Sequence, residues 1–515
     1  DVSADGRLFS PSPLPSPAGR GSLAKRVSFD SFSLREKVAE GRMRVNLRMF
    51  LRKGRCSIAG LIIIIAGTLG LAKGGAADWP QLLGPRADGT SSETGLLSAW
   101  PSGGPKVLWK KQIGTGYSAP SILASRLVLF HRIGNEEIVE ALDAETAKPV
   151  WRHAYPTRYR DPFGYNNGPR CTPLLTEKHC FTFGAEGVLL CLDAKTGKPV
   201  WQRKTAEEFQ VSEAFFGVGA SPVLEGNLLI VMVGGQPNST MVAFDKDTGK
   251  TIWQSAGRDT WQGKPAIGWP GEPLVRWSGF EKLASYATPT LATIHNRRTL
   301  FCLTRQGLVS MDPKTGMVNF SRWFRSRVND TVNAANPVVV GNQVFCSAAY
   351  YGVGSFLLDI AEDGKRFTEV WSTSERRKTN RRLDPVLGIH WTTPILHEGH
   401  LYAFSGRNEP DAQFRCVELN TGRVKWSRDE RWRAYSSKQP DVYGRGSAIM
   451  ADGKLFVLGE GGLLGLFEVN AMKPVELGRH QVPELHYPCW AAPILSDKRM
   501  VIRSEDYLIC FDAAK

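Results

Sequence analysis

The stretch CLDAKTGKPVW, Cys191 to Trp201, reads as an apolar strand ending in Asp193, a Thr-Gly turn at Gly197 and a second strand carrying Trp201. An Asp so placed can accept the backbone N–H groups of the turn, and the Gly supplies the positive φ that the turn requires. The same pattern recurs as ALDAETAKPVW (Ala141 to Trp151, with Asp143), AFDKDTGKTIW (Ala243 to Trp253, with Asp245 and Gly249), SMDPKTGMVNF (Ser310 to Phe320, with Asp312 and Gly316) and CVELNTGRVKW (Cys416 to Trp426, with Gly422). Two copies are degraded: LLDIAEDGKRFTEVW (Leu357 to Trp371) lengthens the turn, and LFEVNAMKPVE (Leu466 to Glu476) lacks both Gly and Trp. Each Trp is expected to dock between neighbouring units, burying roughly 200 Å² and offering its indole N–H to a carbonyl.

Upstream of each copy stands a second anchor, a small residue followed by Pro or Ala at 120, 173, 222, 289, 337, 394, 448 and 493. Eight starts at intervals of 45 to 67 residues, with short strands between them, predict an all-β fold: an eight-bladed β-propeller of four-stranded antiparallel blades. The last copy, CFDAAK (Cys510 to Lys515), has no outer strand, and WPSGGPKVLWKK has an outer strand with Trp109 but no turn before it. Lys106–Lys111 is therefore expected to complete the C-terminal blade and close the ring, which removes exposed sheet edges.

The repeated AxDxxTGxxxW signature is similar to the tryptophan-docking repeat of the pyrroloquinoline-quinone (PQQ) propeller superfamily. The resemblance covers roughly Asp78 to Lys515. That superfamily holds quinoprotein alcohol dehydrogenases, the outer-membrane assembly scaffold BamB and other envelope proteins, so it implies fold more sharply than task. The opening DWPQLLGPRADGTSSETGLLSAWPSGGPKVLW resembles the lead-in of such propellers from planctomycete-type bacteria. BamB-like kinship implies a non-catalytic scaffold of the cell envelope, whereas kinship with the dehydrogenases implies PQQ with a calcium ion held by Glu, Asn and Asp. Those enzymes generally set a disulfide between adjacent cysteines against the quinone, and this chain has no adjacent cysteines. Glu213, Asp330 and Glu409 are candidate carboxylates, but no spacing marks a metal triad. No cofactor and no metal site are therefore expected, with PQQ and calcium as the alternative.

Charge and hydropathy divide the chain further. Of the formal +15, about half lies in residues 1–77, which carry 13 Lys and Arg against 5 Asp and Glu. No basic run interleaved with aromatics remains beyond, which argues against nucleic-acid binding. Residues 1–42 hold PSPLPSPAGRG and no packable pattern; residues 43–77 read as a Sec-type signal, with arginines before the apolar run Ile58 to Ala72 and small residues up to Ala77. Met43 or Met49 is the expected initiator, and cleavage is expected after Ala76 or Ala77. A retained signal would be the sole membrane attachment, since no cysteine ends the apolar run for lipidation. Residues 78–105 form a lead-in and 106–515 the propeller, expected to be periplasmic or otherwise extracytoplasmic and monomeric.

Candidate binding residues fall where the innermost strands begin, because loops from every blade converge there on the channel. Tyr117, Arg170, Tyr286, Asn336, His390, Trp391, Arg445, His486 and Trp490 make an aromatic and cationic set. It would suit a peptide, a glycan or an anionic small molecule through stacking and Arg-centred hydrogen bonds, so a carbohydrate-binding accessory propeller stands as a third reading beside the scaffold and the dehydrogenase. His390 has no second ligand at metal spacing. The excursion from Gly257 to Ser285 holds Trp261, Trp269 and Trp277, which would serve either as a partner-binding surface or as a mini-core; ERRKTNRR (375–382) is a basic loop. In HCFTFGAEGVLLCLD a two-residue turn at Ala185-Glu186 would set Cys180 opposite Cys191, as a bridge in an oxidising compartment or as packed thiols.

Overall fold

A computed structural model describes residues 78–212, 216–261, 266–267, 275–276, 283–326, 331–373, 386–432 and 441–515. Eight four-stranded antiparallel sheets form in strict sequence order, each beginning at one of the eight anchors. Blade 1 consists of Ser121–Leu123, Arg126–Ile133, Glu136–Asp143 and Pro149–Pro156. Blades 2 to 7 follow over residues 174–204, 223–255, 290–323, 338–372, 395–429 and 447–481. The eighth joins Ile494–Ser496, Arg499–Arg503 and Tyr507–Asp512 to the strand Val107–Gln112. Trp109 pairs with Cys510 and Gln112 with Tyr507, so the ring closes through the orphan outer strand.

The repeat motif works as a joint between blades. The Asp143, Asp193, Asp245 and Asp312 carboxylates accept the N–H groups of Thr146, Thr196, Thr248 and Thr315 at 2.8–2.9 Å. Each indole then donates to a carbonyl in the corresponding turn of the next blade: Trp109 to Ala144, Trp151 to Ala194, Trp201 to Lys246, Trp253 to Pro313, Trp371 to Leu419 and Trp426 to Asn470, at 2.7–3.1 Å. Glycine in those turns has two reasons to be there. Gly249 sits at φ +70°, and a Cβ on it would stand 2.7 Å from the Trp201 ring; Gly197, Gly316 and Gly422 lie under Trp151, Trp253 and Trp371 in the same way. In blade 4, Phe320 replaces Trp and packs on Phe367 of blade 5 with ring centroids 4.9 Å apart.

The lead-in does more than precede the ring. Trp79, 1% exposed, forms an antiparallel bridge with Ile122 on the innermost strand of blade 1, and the Pro80 carbonyl accepts the Leu175 N–H of blade 2. The chain then reaches blade 7, where Met450 exchanges hydrogen bonds with Gly89 and Ser91, and blade 8, where Leu96 bridges to Ala514. Trp100 next packs over Gly478 on the outer strand of blade 7, whose own repeat has lost its tryptophan. The lead-in thus spans the channel at the end where the innermost strands finish.

One expectation changes and one open alternative is decided. The loop after Phe183 contains three residues, Ala185, Glu186 and Gly187, with Gly187 at φ +86° and the Gly184 N–H donating to the Val188 carbonyl at 2.9 Å. That is one residue longer than a two-residue turn, and a one-residue slip in a strand pair exchanges its faces. Cys180 therefore opposes Leu192 and Cys191 opposes Phe181. Cys180 packs into the core shared with blade 1 and Cys191 into the core shared with blade 3, and both are free thiols. Trp261 is 2% exposed and meets Trp323 edge-on at 5.8 Å, so it builds core, not surface. Trp269, Trp277, residues 375–382, Glu213 and Asp330 lie outside the described residues, and of Glu409 only the backbone is described. No helix among the described residues is long and apolar enough to cross a membrane.

Candidate functional site

The anchors set a ring of side chains. Counting back three residues from each anchor gives Tyr117, Arg170, Gly219, Tyr286, Ala334, Trp391, Arg445 and Trp490, one per blade. Seven of these eight line a central cavity of about 230 Å³. Arg445 stands directly behind the wall, its guanidinium 4.6 Å from the Trp391 ring centroid and 5.8 Å from that of Trp490. One residue before the anchors runs a girdle of hydrogen bonds: the N–H of Thr172 donates to Ser221 Oγ, that of Ser221 to Thr288 Oγ1, that of Thr288 to Asn336 Oδ1 and that of Asn336 to Thr393 Oγ1, at 2.8–3.3 Å. Small polar side chains therefore knit the start of one blade to the next and use up the backbone donors there.

The lead-in crosses the channel beside the cavity. Its Leu82 and Leu83 line the cavity, as does Tyr165, which is 46% exposed. The walls carry a continuous run of aromatic rings: Trp490 stands 4.8 Å from Tyr117, 4.9 Å from Trp391 and 5.8 Å from Tyr165 between ring centroids. Phe216 links Tyr165 to Tyr286 at 5.9 and 5.6 Å. Gly219 is the gap that accommodates Tyr286, since a Cβ there would meet that ring at 2.6 Å.

Its charges are already matched within the chain. Arg170 pairs with the fully buried carboxylate of Asp161 at 2.7 Å and donates to the Asn166 carbonyl at 2.8 Å. Arg445 forms a two-point pair with Glu460, Nε to Oε1 at 3.1 Å and a terminal N–H to Oε2 at 2.9 Å, while Trp490 Nε1 donates to Oε2 at 2.9 Å. The Arg445 NH1 group also donates to His390 Nδ1 at 2.9 Å. Because arginine can only donate, that imidazole carries its proton on Nε2, which donates to the Tyr350 hydroxyl at 3.1 Å. Burial, then the nearby Arg445 and Arg407 charges, push His390 well below the usual histidine range, so it stays neutral. Burial raises Glu505, which accepts from the Asn166 amide, above the ordinary carboxylate range, and raises Tyr286 to about 12.

Of the nine residues singled out from sequence, seven line the cavity and Arg445 supports its wall. His486 is exposed and outside it, being seven residues before its anchor, not three. Sequence reasoning missed Tyr165, Phe216, Asp161, Tyr350, Glu460 and Glu505. The last three sit between the second and third strands of blades 5, 7 and 8, in turns that share no repeated residue. Gly219 and Ala334 were legible in the three-back register but draw no notice as small residues.

Among the described residues no group of three or more His, Cys, Asp or Glu could hold a metal ion. With Arg170 and Arg445 each bound to a carboxylate of the chain, the wall offers a tricarboxylate quinone no cation to receive it. The residues present do not fit PQQ with calcium.

The fold and the indole-to-turn joints define a tryptophan-docked eight-bladed propeller with a central cavity. The family model described as outer membrane protein assembly factor BamB matches residues 135–428, more than half of the chain, and the chain belongs to that family of PQQ-like propellers. Among solved structures, BamB from Moraxella catarrhalis is similar at 14% identity and a TM-score of 0.50, over 79% of this chain and 97% of that one. The quinohemoprotein alcohol dehydrogenase from Comamonas testosteroni is similar at 13% identity and a TM-score of 0.55, over 85% and 81%. A europium-containing methanol dehydrogenase is similar at 13% identity and a TM-score of 0.55, over 83% and 89%. These likenesses show the fold. No curated protein sequence matches the chain.

Proposed function

We propose that the chain is an exported, non-catalytic binding propeller of the cell envelope, BamB-like in task as well as in fold, which receives its ligand or a partner's protruding group through the mouth of the central cavity. The observation that carries this reading is the cavity itself: a space of about 230 Å³ with a run of aromatic rings in its wall and Leu82 and Leu83 of the lead-in among its lining, where a bound group would be held and stacked. Against catalysis stands the state of His390, neutral and hydrogen-bonded to Arg445 and Tyr350 through its two nitrogens, so neither nitrogen faces a substrate. The family description, outer membrane protein assembly factor, supports an envelope address, as does the signal-like pattern in residues 43–77.

The test places a photo-crosslinking amino acid at Tyr165 or, on the exposed outer strand of blade 2, at Val200 in the full chain, and irradiates each in envelope extract. Adducts formed at Tyr165 and absent at Val200 are expected. Equal adducts at both positions, or stoichiometric uptake of PQQ with calcium accompanied by dye-linked alcohol oxidation, would overturn the proposal.

A further inference from the structure

We infer that the cavity takes the end of an uncharged saccharide chain. This rests on the reading of the cavity as a binding site and names the chemistry of what it binds. Three observations select that class.

First, the arginine that lines the cavity and the one behind its wall are both answered within the chain; Arg407 lies outside the lining, stacked on the Tyr350 and Tyr351 rings. Arg170 is held by Asp161 and Arg445 by Glu460, both at hydrogen-bond distance and with all four side chains at most 10% exposed. An anionic ligand would have to displace a buried carboxylate from its partner, which leaves that carboxylate desolvated and unpaired. The anionic small molecule that the two arginines suggest in sequence is thereby disfavoured.

Second, the backbone donors before the anchors of blades 2 to 5 are already taken. A peptide recognised by strand addition needs a row of unpaired N–H and C=O groups. Around the mouth, the N–H groups of Thr172, Ser221, Thr288 and Asn336 each donate to a side chain of the next blade. At the far end, Ile122 and Met450 pair with the lead-in. Recognition therefore falls to side chains.

Third, the side chains that remain combine ring faces with neutral hydrogen-bonding groups. Trp490, Trp391 and Tyr165 present aromatic surface, and a pyranose ring offers a face of C–H groups that packs on such a surface with its hydroxyls at the edge. The Tyr350 oxygen accepts from His390, so its own proton is directed elsewhere; Asn336 uses Oδ1 for the Thr288 N–H, which leaves its amide N–H groups as donors. Both residues line the cavity, beside the hydroxyl-bearing Thr392 and Thr393. Leu82 and Leu83 line the cavity where the lead-in crosses the channel, so the terminus of a chain, not its middle, is the part bound.

The experiment applies the full chain to a glycan array of neutral and anionic oligosaccharides, then follows tryptophan fluorescence on titration with the best neutral hit. Saturable binding that changes little as salt is raised is expected, because the ligand is uncharged and Arg170 and Arg445 are already paired. Tyr165→Ala should weaken it about tenfold and Tyr165→Phe should retain it, since only the ring stacks. Val200→Ser on an outer strand should leave it unchanged. Preference for anionic glycans, or no neutral glycan bound, refutes the inference. If peptides or proteins alone crosslink at Tyr165, the saccharide assignment falls while the cavity remains a binding site. If Tyr165 also gives no specific adduct, both fall together.

Discussion

Replacing Trp109 with Ala should open the ring at its seam and leave the other blades closed. Trp109 lies on the strand that joins the two ends of the propeller, half-buried in the core shared by blades 7, 8 and 1, with its indole N–H donating to the Ala144 carbonyl at 3.0 Å. Truncating a fully buried Trp costs about 3–5 kcal/mol; half-burial roughly halves this, and the lost hydrogen bond adds about 1 kcal/mol. A loss of about 2.5–3.5 kcal/mol lowers protection against local opening by about 70- to 400-fold. Amide hydrogen exchange read by mass spectrometry should show this loss in Val107–Gln112 and Tyr507–Asp512, which pair across the seam. Trp201→Ala serves as the matched control, because its indole makes the same bond, at 3.0 Å to Lys246, between blades 2 and 3. Its loss of protection should fall there and spare the seam. Equal loss across all eight blades in Trp109→Ala would refute the reasoning, since it would mean that the seam opens only with the whole ring.

Other outcomes follow from single side chains. Glu430 is fully buried beside Arg428, and burial raises its carboxyl to about 7 from an ordinary 4.5. The folded chain then holds that proton more tightly than the unfolded one, so this group's contribution is intact below about pH 4.5 and is lost as pH rises through 7, by about 3 kcal/mol in all. Glu430→Gln should remove that slope when denaturant midpoints of variant and parent are compared from pH 5 to 8. Gly249→Ala combines a φ of +70° with a 2.7 Å approach to Trp201 and should cost about 2–4 kcal/mol, whereas Gly226→Ala, at φ +61° with nothing within 4 Å, should cost about 1 kcal/mol in the same melts. Alkylation of the denatured chain without reductant should label Cys180 and Cys191 as thiols; a peptide pair linked between them would contradict the observed register.

The ring was legible because its joints recur. Asp, Gly and Trp stand at fixed offsets, and each has a separate physical duty: accepting turn N–H groups, adopting positive φ under an indole, and docking on the next blade. The cavity was half legible for the same reason. Tyr117, Arg170, Tyr286, Trp391, Arg445 and Trp490 share one offset from the anchors, and the backbone repeat carries them to one level of the channel. His486 lies off that offset and outside the wall. What sequence could not show was which charges were answered. Asp161 meets Arg170 and Glu460 meets Arg445 through loops without a repeated pattern, so residues that look like anion receptors are internal ion pairs. The cysteine pairing failed on a single residue: one more position in the turn after Phe183 turned Cys180 and Cys191 toward different neighbours.

The lead-in gives the molecule its polarity. A ring of eight similar blades would have two comparable mouths, but Trp79, Leu82, Leu83 and the Gly89–Ser91 segment tie off the end where the innermost strands finish. The Asp-Thr-Gly turns share that end, because a third strand runs antiparallel to the second and parallel in direction to the first. Structural turns and plug therefore occupy one face. The other face holds the loops between blades and the turns bearing Tyr350, Glu460 and Glu505, which are the segments of least repeated sequence. Variation there alters the cavity without touching the indole joints that hold the ring. Selectivity can thus change in this fold at little risk to stability, provided that substitutions spare Gly219, where added bulk would strike Tyr286, and the Arg445–Glu460 pair, where loss of either partner would leave a buried charge unmatched.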